Sequence, residues 1–302
     1  MSAQARIEAP NAVAIEAAAP VARSRGYWGH VGRQLVRDPI AMGAAAVVLA
    51  IVVVAVASPW LTPADPYRGA MLRRLRPIGT AGYPLGSDEL GRDMLSRLMD
   101  GARLSLFMGV TPVVLAFGIG SAIGIVAGYV GGWLNTVLMR TIDVFFAFPS
   151  VLLAIALSGA LGAGVFNAIV SLTCVFVPQI ARVAESVTTQ IRTRDYVDAA
   201  RLSGASALTI VRVQVLGNVL GPIFVYATSL ISVSMILASG LSFLGLGVRP
   251  PEPEWGLMLN TLRTAIYVNP LVAALPGACI FVTSISFNLF SDGLRTAMEV
   301  KE

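Results

Sequence analysis

Five uncharged windows decide what this chain can become: residues 39–64, 104–139, 144–181, 213–248 and 264–291 contain no Asp, Glu, Lys or Arg. About 20 apolar residues in a helix cross the hydrocarbon core of a bilayer, where backbone polar groups must be satisfied within the segment. Each window is long enough to cross. The window at 144–181 far exceeds one crossing, and SGALGAG at 158–164 places helix-weakening glycines near its middle, so it divides into two helices and a tight turn. The sequence therefore predicts an all-α integral membrane protein with six transmembrane helices, over about 40–61, 104–130, 138–159, 164–187, 214–241 and 265–290. Gly217, Gly221 and Pro222 weaken the start of the fifth span. The remainder reads as an N-terminal tail at 1–38, a long connection at 62–103 and a C-terminal tail at 293–302.

Composition agrees, with 56% hydrophobic and 13% charged residues, fewer ionic groups than a water-facing surface carries. Lys and Arg exceed Asp and Glu by 22 to 17, but they are scattered between apolar windows, so nucleic acid is not an expected partner. Residues 1–26 are rich in Ala and Pro, carry Glu8 and Glu16, and read as a flexible tail rather than a cleaved leader. Cys174 and Cys279 lie in apolar windows and read as small buried hydrophobes.

Several chemistries are disfavoured by what is missing. A phosphate-binding P-loop needs a lysine, and the one lysine is Lys301. The single histidine, His30, leaves no HExxH and no cluster of metal ligands, and no G-x-S-x-G elbow occurs. No catalytic residue and no metal site is expected. No span has a charge near its centre, which removes the usual mark of a proton relay or ion-coupling site in a self-sufficient secondary transporter or channel.

Arginine asymmetry gives a weak orientation. With the N-terminus cytoplasmic, that side holds Arg6, Arg23, Arg25, Arg33, Arg37, Arg140, a group at 182–212, Arg295 and Lys301. The connection at 62–103 then lies outside with seven arginines, offset by five acids.

One polar segment interrupts the greasy second half. DAARLSGAS at 198–206 follows Arg192, Arg194, Asp195 and Tyr196, and so must live in water or against protein. Ala199, Ala200 and Leu202 give a slim apolar surface on a helix, Gly204 can take positive φ, and Ala205 with Ser206 can start a second helix. Periodicity alone leaves open an amphipathic connector on the membrane surface.

The run resembles the EAA motif of binding-protein-dependent ABC importer permeases, at Asp198, Ala199, Ala200 and Gly204. Four more stretches are similar to the dipeptide, oligopeptide and nickel branch of that family, in its dipeptide permease C type: LGSDELGRDMLSRLMDGARLSL at 85–106, AGYVGGWLNTVLMRTIDVFFAFPSVLLAIAL at 127–157, LSFLGLGVRPPEPEWGLML at 241–259 and FNLFSDGLR at 287–295. The resemblance covers about 30–298. It implies a type I ABC importer core of five spans at 104–292 with an extra first span, in a bacterial inner membrane with both termini cytoplasmic. It also implies a homologous second permease, two ABC ATPase subunits carrying ATP and Mg, and an extracytoplasmic substrate-binding protein. Tyr196, Asp198, Ala199, Ala200, Gly204, Ala205 and Ser206 would then form coupling helices docked on an ATPase. Asp198 stands where glutamate is usual, and Gly217 where proline is. The solute implied is a di- or oligopeptide, with a nickel chelate, glutathione or a sugar-like solute open.

Other features carry two readings each. Gly120, Gly124 and Gly128 form a stripe for close helix packing. Thr228, Ser232, Met235 and Ser239 share a face that either bonds helices together or lines the translocation path implied by the resemblance. Arg140 and Asp143 are spaced to pair on one helix. Pro149 and Pro178 can kink or begin helices. Glu252, Glu254 and Trp255 read as a stiff acidic tip, either a contact for the binding protein or a solvated turn.

Overall fold

The computed structural model describes residues 27–298, so the tail at 1–26 lies outside the described residues, as does Lys301. A short amphipathic helix α1 (Tyr27–Arg37) precedes α2 (Pro39–Leu61), which Asp38 starts by accepting hydrogen bonds from the amides of Ile40 and Ala41. The first span is thus where its window put it.

A connection without long helices then runs to α3 (Met94–Val130). This helix begins at Met94 rather than at residue 104, so the second span extends into what the charges mark off as connection. Two of the charges are buried and bonded instead of solvated: Asp93 caps the helix through the Ser96 amide at 2.8 Å, and Arg97 donates to the Pro66 carbonyl at 2.9 Å. With 37 residues α3 is about 55 Å long, well over the thickness of a bilayer core.

After a turn at Gly131, α4 (Gly132–Phe146) and α5 (Ser150–Leu161) meet at 88°. The third span is not one helix over 138–159 but a broken one, with Pro149 at the start of its second half. Proline has no amide to donate and disfavours helical backbone in the residue before it, which accounts for the break. The glycine turn at 162–164 falls where the sequence put it, and α6 (Val165–Arg192) follows, with Pro178 inside it.

Next come α7 (Asp195–Leu202), α8 (Ala207–Ile210), one π-helical stretch at Val211–Val215 and α9 (Leu216–Phe243), then α10 (Trp255–Thr261) and α11 (Pro270–Met298). The last span begins at Pro270 after a 3-10 turn at Ala265–Tyr267, later than the expected 265. Among the described residues, five helical stretches are long and apolar enough to cross a membrane, and the bent pair α4–α5 passes the same test when its two halves are taken together.

The central contact is α3 against α6. A Cβ on Gly120 would lie 2.9 Å from the Val177 carbonyl, one on Gly124 2.5 Å from Ala184 Cβ, and one on Gly128 2.7 Å from the Glu185 carbonyl. The three glycines let two backbones touch, as their spacing suggests. Around this seam the core gathers Met108, Phe176, Ile180, Ile223 and Leu241.

Gly124→Ala is expected to destabilise the purified chain by about 1–3 kcal/mol through overpacking, while Gly118→Ala, whose Cβ meets nothing within 4 Å, leaves the melting temperature unchanged or raised. Equal melting temperatures for the two variants would remove the stripe as the seam.

Candidate coupling site

The polar segment folds as a helix, a bend and a second helix. Asp195 and Asp198 occupy the first turn of α7, where carboxylates favour the positive end of the helix dipole. Asp198 also pairs with Arg201 at 2.8 Å. Gly204 takes φ +78°, a left-handed conformation that a side chain resists, and the Ala205 amide reaches back to the Ala200 carbonyl at 3.2 Å. Ser206 then caps α8 by accepting from the Thr209 amide.

The underside of this knob is part of the core. Val197 and Ile210 are fully enclosed in the main cluster, with Ala200 and Ala205 packed against it. Its outer side is bare: Leu202 is 90% exposed and Leu208 79%, with Tyr196 and Val213 also exposed. Leu208 and Val213 escape a motif-based reading; the signal for them is an apolar side chain opposite the buried register of a short polar helix.

Two arginines tie the knob to the far end of α3. Arg192 donates to the Tyr129 carbonyl at 3.1 Å, satisfying a helix end, and the Arg201 guanidinium stands 5.9 Å from the centre of the Tyr129 ring. Nearby, Asn135 of α4 donates to Glu185 of α6 at 2.7 Å, and Arg182 pairs with Asp143. The expected Arg140–Asp143 pair is therefore replaced by one between helices, with Arg140 exposed. Asp143 is taken up by α6, and Arg140 on the same face stays exposed.

The small polar face of α9 is enclosed by this chain. Thr228 and Ser291 share a hydrogen bond of 2.9 Å, Met235 fills the space left by Gly109, and the backbone of Ser239 abuts Gly256. These residues join helices. Ser232 alone of the four borders an open groove of about 480 Å³, together with Ile236 of α9 and Ser284 and Asn288 of α11.

The acidic tip is also rearranged. Glu254 is 1% exposed and caps α10, accepting from the amides of Gly256 and Leu257 at 2.8 Å and from Ser105 at 3.2 Å. Trp255 is buried beside it, its indole N–H donating to the Leu98 carbonyl at 2.9 Å. Neither can form an exposed tip, because helix α10 turns both inward. Glu252 remains outside and accepts from the Tyr67 hydroxyl at 3.0 Å. Burial, then that bond, pushes the Tyr67 phenol up to about 12, so it stays a neutral donor.

Five long apolar helices and a bent pair packed about a buried seam, with a polar knob anchored in the core, define a multi-span membrane protein. The chain belongs to the family of binding-protein-dependent transport system inner membrane components, which matches residues 120–301, and residues 26–77 match the N-terminal transmembrane domain of oligopeptide transport permease C. It is 38% identical over 291 residues to a glutathione transport system permease protein of Pectobacterium atrosepticum, covering 95% of this chain and 97% of the relative. Proteins of the same name from Escherichia coli and Shigella boydii are 39% identical over 277 residues, 92% of this chain and 91% of theirs. The chain is thus an inner-membrane, multi-pass permease subunit of a binding-protein-dependent ABC importer.

Burial raises the Glu254 carboxyl above its ordinary value, with the two backbone N–H bonds opposing the shift. For an acid so raised, the contribution to stability is full below the unfolded value of about 4.3 and is lost as pH rises through the folded one. Melting temperatures are expected to fall over that rise for the native chain and to fall less for Glu254→Gln. Parallel profiles for the two would show that Glu254 does not titrate there.

Proposed function

We propose that this permease forms half of a translocation path, the other half being a homologous second permease. Two ABC ATPase subunits bind ATP and Mg and dock on the knob at 195–210, and an extracytoplasmic binding protein delivers the solute. The chain itself carries no catalytic site and binds no cofactor. The observation that carries this reading is the bare apolar surface of Leu202 and Leu208 on a knob whose underside is locked into the spans.

Both termini lie on the cytoplasmic side with the knob, and residues 62–93 lie outside. Supporting this are the arginines at 182–212 and the position of α7 and α8 between two spans that place them at the membrane face of the N-terminus. The solute crosses beside Ser232, Ser284 and Asn288, an uncharged groove that suits brief passage of a polar or zwitterionic molecule. Its class is a small peptide: the relatives named above are glutathione permeases, and glutathione is a tripeptide. Of Glu252, Glu254 and Trp255, Glu252 is our candidate for contact with the binding protein, a reading supported by its being the one of the three that is exposed.

Two experiments test the reading. In a background lacking Cys174 and Cys279, Thr193→Cys and Glu252→Cys should label from opposite sides of intact cells' inner membrane. An impermeant reagent reaching both would contradict the topology. In the assembled transporter, Gly204→Val is expected to abolish uptake, because a β-branched residue at positive φ misaims α8. Asp198→Ala is expected to weaken ATPase association or uncouple hydrolysis from uptake, while insertion survives. Assembly and uptake at native levels in both variants would reduce the knob to a surface connector.

A further inference from the structure

A second concavity lies on the opposite membrane face from the knob, between α2, the first turns of α3 and α11. It is a groove of about 410 Å³, walled by Ile51, Val54, Ala102 and Cys279, with Trp255 at its floor. Its few polar groups are already bonded: Thr283 donates to the Cys279 carbonyl at 2.7 Å and the Trp255 indole to that of Leu98. An occupant need offer no hydrogen bond. From Leu275 to Thr283 on α11 the groove descends about 12 Å, nearly one leaflet of a core about 30 Å thick.

The mouth has a different chemistry. Leu85 lines the groove, and the next residue, Gly86, packs against Val272 of α11 and the Arg76 backbone. Asn269, just before α11, donates to the Arg76 carbonyl at 3.2 Å. The run 71–76 is thereby held over the outer end of α11. Arg73, Arg74 and Arg76 are all exposed there, and none forms an ion pair among the described residues. Leu72, 94% exposed, and Met71 stand beside them. Trp60, 81% exposed at the end of α2, lies on the same membrane face. Bare aliphatic and indole side chains among arginines are what a headgroup layer accommodates.

We propose that this groove is a site for an anionic phospholipid, one acyl chain lying along Val54, Ala102 and Cys279 and the phosphate held by Arg73, Arg74 and Arg76. The lipid clamps α2 to the five-span core. Arginines near a membrane surface each favour an anionic headgroup by roughly fivefold, so phosphatidylglycerol should displace phosphatidylethanolamine there.

Trp255 is a built-in probe. With Trp28, Trp60 and Trp133 changed to Phe, the full chain in nanodiscs is titrated with phosphatidylglycerol or phosphatidylethanolamine carrying brominated chains. Quenching should be at least about fivefold steeper with phosphatidylglycerol. Replacing the three arginines by Gln should equalise the two lipids without shifting the Trp255 emission maximum, and Ala102→Phe should remove quenching by filling the groove. Native mass spectrometry of the chain with its co-purified subunits should show phosphatidylglycerol retained, and lost in the triple variant. Equal quenching by both lipids, no quenching by either, or a complex that retains no phosphatidylglycerol because a partner helix covers the groove, would each overturn the site.

Discussion

The seam between α3 and α6 is the contact on which the rest depends. Gly120, Gly124 and Gly128 bring two backbones within van der Waals reach over about two turns, a closeness that no side chain at those positions permits. Lipid tails are as apolar as leucine, so burial alone does not hold helices together in a membrane, and tight packing must. Once this seam is fixed, α9 lies against α3 through Met235 at Gly109 and Phe224 edge-on to Phe117 at 6.2 Å. The same seam carries polar bonds at its end near the knob, where Asn135, Glu185, Arg192 and Tyr129 meet. Val197, Arg192 and Arg201 thus tie the knob to α3 and α6 together.

The opposite membrane face is held by charge. Asp88 is buried with two arginines: Arg92 Nε donates to it at 2.6 Å, and Arg97 Nε stands 3.2 Å from the same oxygen. Arg92 also reaches Glu89 at 3.0 Å. Such a cluster adds little net stability but penalises any arrangement that leaves one member unpaired, so it fixes register. Through it the connection at 62–93 is pinned to the start of α3. Arg97, by bonding to Pro66, joins the two, and Glu254, by capping α10 against Ser105, brings the connection before α11 onto the same helix.

Much of this was legible beforehand, because a bilayer leaves a chain few choices. Charge-free windows located the spans, the run at 158–164 located a turn, and Gly204 located the bend between α7 and α8. What escaped depends on partners distant in sequence. Arg97, Asp100 and Arg103 look like the end of a membrane helix until the carboxylates and carbonyls that receive them are known. Asp100, for example, accepts from Ser58 of α2 at 3.1 Å. Asp143 has a plausible partner three residues away and a real one, Arg182, on another helix. Glu254 and Trp255 read as surface because acid and proline flank them, yet the acid is consumed as a cap and the indole as a buried donor. The small polar residues of α9 recur at helical spacing, but periodicity does not say whether such residues meet another helix or open space.

The central claim is that the knob at 195–210 is the surface through which an ATPase moves the spans. Hydrogen exchange on the permease, alone and assembled with its ATPase subunits, measures this directly. Amides of α7, the Gly204 bend and α8 should be protected on assembly, while those at 62–93 on the opposite face keep their rates. Unchanged exchange at 195–210, with protection appearing elsewhere on the knob's side of the membrane, would contradict it.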